Sequence, residues 1–219
     1  MPVRTIKPGY SNVTADFAST KLDRMIHCES TLERDFALIL EYDRQVNWYE
    51  EQPITIEYQL RNRSKSYTYT PDFFARRVVE GKEKSVLYEI KFRSDLKRNW
   101  GKLKPKFKAA IHKCKVNNWR FKILTEKEIR TPRLQNLEFL DHFNQSISGM
   151  EEAYRQVLID SINELRVATP EELLGFTFTE PMKRAEVVPV LWRLISDGAI
   201  TANLDEPLTM KSQLTGEWV

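Results

Sequence analysis

Two alternating stretches joined by a charged, Gly81-containing turn constrain the fold of this chain more than any other feature. The first reads Thr70-Pro71-Asp72-Phe73-Phe74 and the second Tyr88-Glu89-Ile90-Lys91-Phe92. Along 86–92 the side chains alternate. Val86, Tyr88, Ile90 and Phe92 face one way and Leu87, Glu89 and Lys91 the other, the period-two pattern of a strand. An antiparallel hairpin turning near Lys82 brings Asp72 close to Lys91 and Glu89. Two carboxylates and an ammonium on one sheet surface can hold a divalent metal through oxygen ligands and position a water beside it. Either half alone also fits a solvated strand or a Pro-Asp turn. The two halves together, each on a strand, are far more restrictive.

The chain has 219 residues, 41% apolar and 11% aromatic, enough to bury a core in one large domain or two small ones. No apolar run approaches the roughly 18 residues that a membrane span needs. Residues 1–5 lack the apolar stretch of a secretory signal. Cys28 and Cys114 read as free thiols of a reducing cytoplasm. His27, His112 and His142 have no partner at ligand spacing. The net charge is only +3, but it is unevenly spread: residues 91–122 hold twelve Lys or Arg against one acid, Asp95. Residues 126–219 hold nine Lys or Arg against sixteen acids. A basic stretch directly after the Glu-x-Lys strand suits a polyanion lying beside a metal site.

The periodicity predicts an early strand or arm at 17–21, a helix over 30–42 and a strand over 52–60. A basic turn follows at 61–66. The Asp72 strand runs to about Val79, and the Glu89 strand follows. A lysine-rich helix is expected over 102–116, with Pro105 in its first turn. A strand at 119–124 and a short helix from Thr125 complete a mixed α/β sheet with a flanking basic helix. Composition shifts near residues 144–149. Helices are then expected over 150–165, with Tyr154, Val157, Leu158, Ile162 and Leu165 inward, over 169–174, and over 181–197. Small strands are expected at 199–202 and 208–210. That is the order of a winged helix. Its third helix carries only Lys183, Arg184 and Arg193 against Glu186 and Asp197, which favours protein docking over DNA contact.

Other residues could join the site. Ser30-x-x-Glu33 reads as a capping box, in which Glu33 reaches back to the Ser30 amide; Glu33 could equally be a metal-binding acid, with Glu29 as the fallback. Gln52, just before Pro53, could touch the site or a phosphate. Lys97, Arg98, Lys102, Lys104, Lys106 and Lys108 offer a phosphate-binding face on the basic helix.

The Asp72…Glu89-x-Lys91 pattern resembles the PD-(D/E)xK nuclease signature, in which the acids bind metal and the lysine orients or activates the attacking water. Glu29-Ser30-Thr31-Leu32-Glu33, Gln52-Pro53, Thr70-Pro71-Asp72-Phe73, Glu89-Ile90-Lys91 and the run from Phe121 to Ile129 together resemble the TnsA endonuclease of heteromeric cut-and-paste transposons. The resemblance covers about residues 15–140. It implies a restriction-endonuclease-like domain over 1–143 and a winged-helix domain over 144–219, in a protein of the bacterial cytoplasm. It implies cleavage at the 5′ ends of a transposon with Mg²⁺, two ions, for which Mn²⁺ can substitute. It makes Glu33 a metal ligand beside Asp72 and Glu89, with Lys91 on the water, although some members have Gln at the place of Glu89. The implied partners are double-stranded DNA of the transposon ends, a TnsB-like DDE transposase subunit and a TnsC-like AAA+ ATPase. The short length resembles the compact forms of CRISPR-associated transposons. A restriction, repair or junction nuclease acting alone is the alternative among enzymes. A non-catalytic winged-helix adaptor that only binds DNA is the alternative outside them.

Overall fold

A computed structural model of the chain describes residues 15–60, 65–144 and 149–216. The expected basic turn at 61–66 falls partly outside the described residues, as do the first residues of the chain and most of the composition shift near 144–149. The chain divides into two compact units, Met1–Arg130 and Thr131–Val219.

The first unit is built on a four-stranded sheet of β3 (Val46–Glu51), β6 (Phe73–Val79), β7 (Lys82–Ile90) and β8 (Arg120–Leu124), in that order. β3, β6 and β7 are antiparallel neighbours, and β8 runs parallel to β7. A parallel neighbour requires a long crossover, which α2 (Arg93–Val116) supplies. The β6–β7 turn is Glu80–Gly81, both with positive φ (54° and 71°), as a two-residue hairpin of matching twist demands. It lies ahead of the expected turn at Lys82. The register is Phe73↔Tyr88, and continuing it sets Asp72 across from Glu89.

Alternation along β6 and β7 sorts their side chains onto two cores. Phe73, Ala75, Val86, Tyr88 and Ile90 pack with Leu32, Phe36 and Leu40 of α1 (Thr31–Tyr42). Phe74 and Leu87 pack with Phe107, Ala110 and Cys114 of α2. A sheet buried on both faces explains the continuous apolar runs Phe73-Phe74-Ala75 in β6 and Val86-Leu87-Tyr88 in β7. Two hairpins flank it: β1 (Ala15–Ser19) with β2 (Arg24–Cys28), and β4 (Ile56–Gln59) with β5 (Ser66–Tyr69). A short α3 (Glu126–Ile129) follows β8, capped by Thr125. Cys28 and Cys114 are free and buried.

Two expectations for this unit fail. The strand predicted over 52–60 is shorter: Gln52 turns the chain with φ 45°, and only Ile56–Gln59 is strand, while β3 before it was not predicted. The basic helix begins at Arg93, nine residues ahead of Lys102, so Pro105 lies inside it. Pro105 has no N–H for the carbonyl of Gly101. Burial of Phe107, Ala110 and Cys114 holds the helix through that defect.

The second unit begins with α4 (Pro132–Asp141), so the division falls at 130/131 rather than 143/144. Leu140 is fully buried in the second core, and Phe139 stacks edge-on against Trp192 at 5.3 Å. α5 (Gly149–Leu165), α6 (Pro170–Thr177) and α7 (Pro181–Ser196) complete the helices. Val187, Val190, Leu191, Leu194 and Ile195 are buried as their spacing predicts, and Leu158 and Ile162 with them. Val157 is not inward but 43% exposed. The sheet is β10 (Ile200–Ala202), β11 (Leu214–Gly216) and β9 (Val167–Ala168), all antiparallel. The strand expected at 208–210 is a loop, in which Asn136 holds the Leu208 amide and two nearby carbonyls. Among the described residues no helix is long and apolar enough to cross a membrane.

Candidate active site

The site forms where β6 begins and β7 ends. Asp72 immediately precedes β6, and its amide donates to the Tyr88 carbonyl at 3.1 Å. Its carboxylate accepts from the Ile90 amide at 2.6 Å and from Lys91 Nζ at 3.1 Å. Lys91 also donates to the Ile90 carbonyl at 2.9 Å and lies 3.4 Å from Glu89 Oε1. The other Glu89 oxygen accepts from Tyr69 Oη at 2.5 Å, in a pair only 2% and 6% exposed. Tyr69 was not expected from the sequence. A tyrosine three residues ahead of Asp72, at the end of its own short strand, is the signal that could have marked it.

Glu33 reaches the same field from the first turn of α1. Of the two readings of this residue, the structure shows the Ser30 cap. The Glu33 amide donates to Ser30 Oγ, so Ser30 caps the helix, but the Glu33 carboxylate accepts from the Glu29 amide at 2.8 Å and Ser30 Oγ at 2.9 Å rather than from the Ser30 amide that the expected capping box would use. Its charge is nevertheless felt by Lys91, and the charge of Asp72 by Glu33. Glu29 adds to the negative field at Asp72. Gln52 joins the web through its amide, which donates to the Asp72 carbonyl at 2.8 Å, and through Nε2, which donates to Glu29 Oε1 at 3.1 Å.

The electrostatics separate these acids from structural ones. Burial and the Asp72 charge raise both Glu33 and Glu89 to about 7. Burial raises Asp72 too, against the pull of Lys91 and the Ile90 amide. Burial works against the charge of Lys91, but the surrounding carboxylates of Asp72, Glu89 and Glu33 outweigh it and keep the ammonium protonated. Glu41 provides the contrast. It is buried too, yet donors from the Lys21 amide, Ser19, Tyr49 and Thr20 outweigh burial and hold its carboxyl below the usual range. Glu51 is likewise neutralised by both guanidinium nitrogens of Arg24 at 2.7 Å. Glu33 and Glu89, raised by burial and by the charge of Asp72, leave the field around Lys91 under-compensated, as functional sites often are.

Hard carboxylate oxygens in an excess of negative charge fit a small divalent cation such as Mg²⁺. Among the described residues, however, no three His, Cys, Asp or Glu side chains stand together as a preformed metal cage. Glu33 is engaged by its cap and Glu89 by Tyr69.

The basic helix starts one residue after Phe92, itself next to Lys91. Lys97, Lys104, Lys108 and Lys115 are exposed and recur at seven-, four- and seven-residue spacing along one flank. Arg98 and Lys102 are exposed as well, and Arg98 lies 4.0 Å from Asp95. Lys106 departs from that flank: its ammonium lies 5.7 Å from the centre of the Tyr69 ring.

Residues 43–126 match the family model described as TnsA-like endonuclease N terminal. Over this segment the chain is similar to the TnsA-like endonuclease family. The match supports a nuclease role in transposition, and the mixed sheet with its flanking helices fits a restriction-endonuclease-like fold. The TnsA-like segment contains Gln52, Asp72, Glu89, Lys91 and the whole of α2. Glu29 and Glu33 precede it, and the whole second unit lies beyond it. No curated protein matches the chain.

Proposed function

We propose that this protein is the Mg²⁺-dependent DNA endonuclease subunit of a heteromeric transposase, cutting the 5′ ends of a transposon. The observation that carries the reading is the convergence of Asp72, Glu89 and Lys91 at one strand end inside a TnsA-like segment. Asp72, Glu33 and Glu89 would hold the metal, as one ion or two. When bound, it supplies positive charge that stabilises the oxyanion developing on the scissile phosphate. Lys91, whose ammonium is favoured by the carboxylates around it, positions the water and the phosphate by charge and hydrogen bonding or helps to deprotonate the water. Tyr69 fixes the Glu89 carboxylate so that its second oxygen faces Lys91. The exposed lysine flank of α2 takes the phosphate backbone of the DNA.

The second unit is a winged-helix domain in this reading. Its order of α5, β9, α6, α7, β10 and β11 supports that assignment. Its acidic balance suits docking on a basic surface of the partner transposase or ATPase, with DNA contact by α7 as the lesser role.

The test is strand cleavage of transposon-end DNA by the purified chain, alone and with its transposase and ATPase partners. Mg²⁺-dependent cutting is expected in the assembled system, and none from Asp72→Asn, whose melting temperature should stay near that of the parent. Cutting by Asp72→Asn at the parental rate would overturn the assignment. Full activity without partners would favour a nuclease acting alone.

A further inference from the structure

Gln52 holds one polar atom that the fold leaves unsatisfied. The residue is 7% exposed. Its backbone lies in the left-handed region at φ 45°, directly before Pro53. A side chain with a Cβ is strained there by about 1 kcal/mol or more, and such residues cluster at functional positions. Its amide and Nε2 are both used, on Asp72 and Glu29. Its Oε1 is buried, and among the described residues no group donates to it. Reversing the side-chain amide does not help, because Oε1 would then face the Glu29 carboxylate. A buried acceptor without a donor costs about 1–3 kcal/mol. An apolar residue would avoid that cost, so strain and orphaned acceptor together mark a position kept for something outside the chain.

The missing partner must be a donor or a cation. A phosphate oxygen is an acceptor, so the direct phosphate contact that the sequence allowed for Gln52 does not suit this atom. A hydrated cation does, since its shell turns hydrogens outward and the shell lies among acids. Gln52 is tied to two of them. Glu29, which accepts from Gln52, also offers its amide to Glu33, and Glu29 adds to the field at Asp72.

We propose that Gln52 is a positioning residue of the metal site, whose Oε1 accepts a hydrogen bond from the hydration shell of the divalent cation beside Asp72. Groups of this outer kind typically change metal affinity or activity by 10–100-fold. The inference rests on the metal-site reading given under Proposed function.

The probe is Mn²⁺, titrated into the full chain and followed by the electron paramagnetic resonance of the free ion, with metal-free melting curves alongside. Gln52→Met keeps the bulk and removes the acceptor; Gln52→Ala repeats the comparison should Met not be accommodated. Both should weaken Mn²⁺ binding about 10–100-fold, with metal-free melting within a few degrees of the parent. Gln52→Glu keeps an acceptor and should retain most of the affinity. Parental Mn²⁺ affinity in the Met and Ala variants would overturn the assignment. So would an equal loss of affinity in the Glu variant, because the acceptor would then be irrelevant. Asp72→Asn separates the two levels. If it binds Mn²⁺ as the parent does, the metal-site reading has failed, and the role of Gln52 falls with it.

Discussion

Asp72 shows how much one residue's place can decide. Beside Lys91 and the Ile90 amide its charge is partly compensated; toward Glu33 and Glu89, already raised by burial, its charge raises them further. The consequence is a pH dependence of definite sign. With folded values of about 7 against ordinary values near 4.5, Glu33 and Glu89 bind more protons in the folded chain than in the unfolded one between those limits. Their contribution to stability is therefore fully present below about pH 4.5 and is lost as pH rises toward 7 and beyond. In EDTA, urea unfolding at pH 5 and pH 8 should show a loss on the order of a few kcal/mol from these two groups. Glu89→Gln should flatten that loss, and Glu33→Gln should flatten it while keeping the cap closed. An equally steep loss in both variants would place the titration elsewhere. Tyr69→Phe provides the converse case. It removes the donor on Glu89, so stability at pH 8 should fall by about 1–3 kcal/mol, with a smaller effect at pH 5. A pH-independent loss would mean that Tyr69 contributes packing and not charge stabilisation.

At the scale of elements, α2 is both a structural crossover and the proposed DNA surface. One stripe, Phe107, Ala110 and Cys114, is committed to the core, so its cations have to project elsewhere. Lys97, Lys104, Lys108 and Lys115 share a flank, whereas Lys106 is drawn to the Tyr69 ring. Charge reversal at Lys97, Lys104 and Lys108 should weaken DNA binding and lower the log–log salt slope by roughly 0.9 for each phosphate no longer neutralised. Lys106→Glu should act differently, disturbing Tyr69 and Glu89 and so depressing cleavage more than binding. Filter binding across a salt series, read beside cleavage rates, distinguishes the two. An unchanged slope in the triple variant would leave this flank simply solvated.

For the whole molecule, the division after Arg130 makes a concrete difference to what can be cut away. α4 carries Leu140 and Phe139 into the second core, where they meet Trp192 and its neighbours. Residues 131–219 expressed alone should therefore melt cooperatively, whereas residues 144–219, without α4, should melt lower or lose the transition. Differential scanning calorimetry of the two pieces decides it; equal melting temperatures would show that α4 is dispensable to that core. The same longer piece should bind its partner protein more weakly as salt rises, if its acidic balance steers docking.

Local rules made much of this protein legible from its residues. Alternation in 86–92 identified β7 and the shared face of Glu89 and Lys91. Ser30-x-x-Glu33 identified the start of α1, and the 3.6-residue period of Val187 to Ile195 identified the buried side of α7. These signals are legible because each is an interaction between near neighbours along the chain. What depended on distant partners was not. β3 lacks a clean alternation because both of its faces are covered near its end. The first turns of α2 carry few apolar residues, and the helix is carried through Pro105 by packing on a sheet the local pattern cannot see. The Tyr69–Glu89 bond joins residues twenty positions apart. The raised carboxyls of Glu33 and Glu89 are products of burial and of Asp72, and the left-handed turn at Gln52 is tied to the Asp72 carbonyl, twenty residues away. Residue types and spacing determined which groups this chain could bring to a site; tertiary structure alone decided which of them share one low-dielectric field, because desolvation and charge coupling act through space and not along the chain.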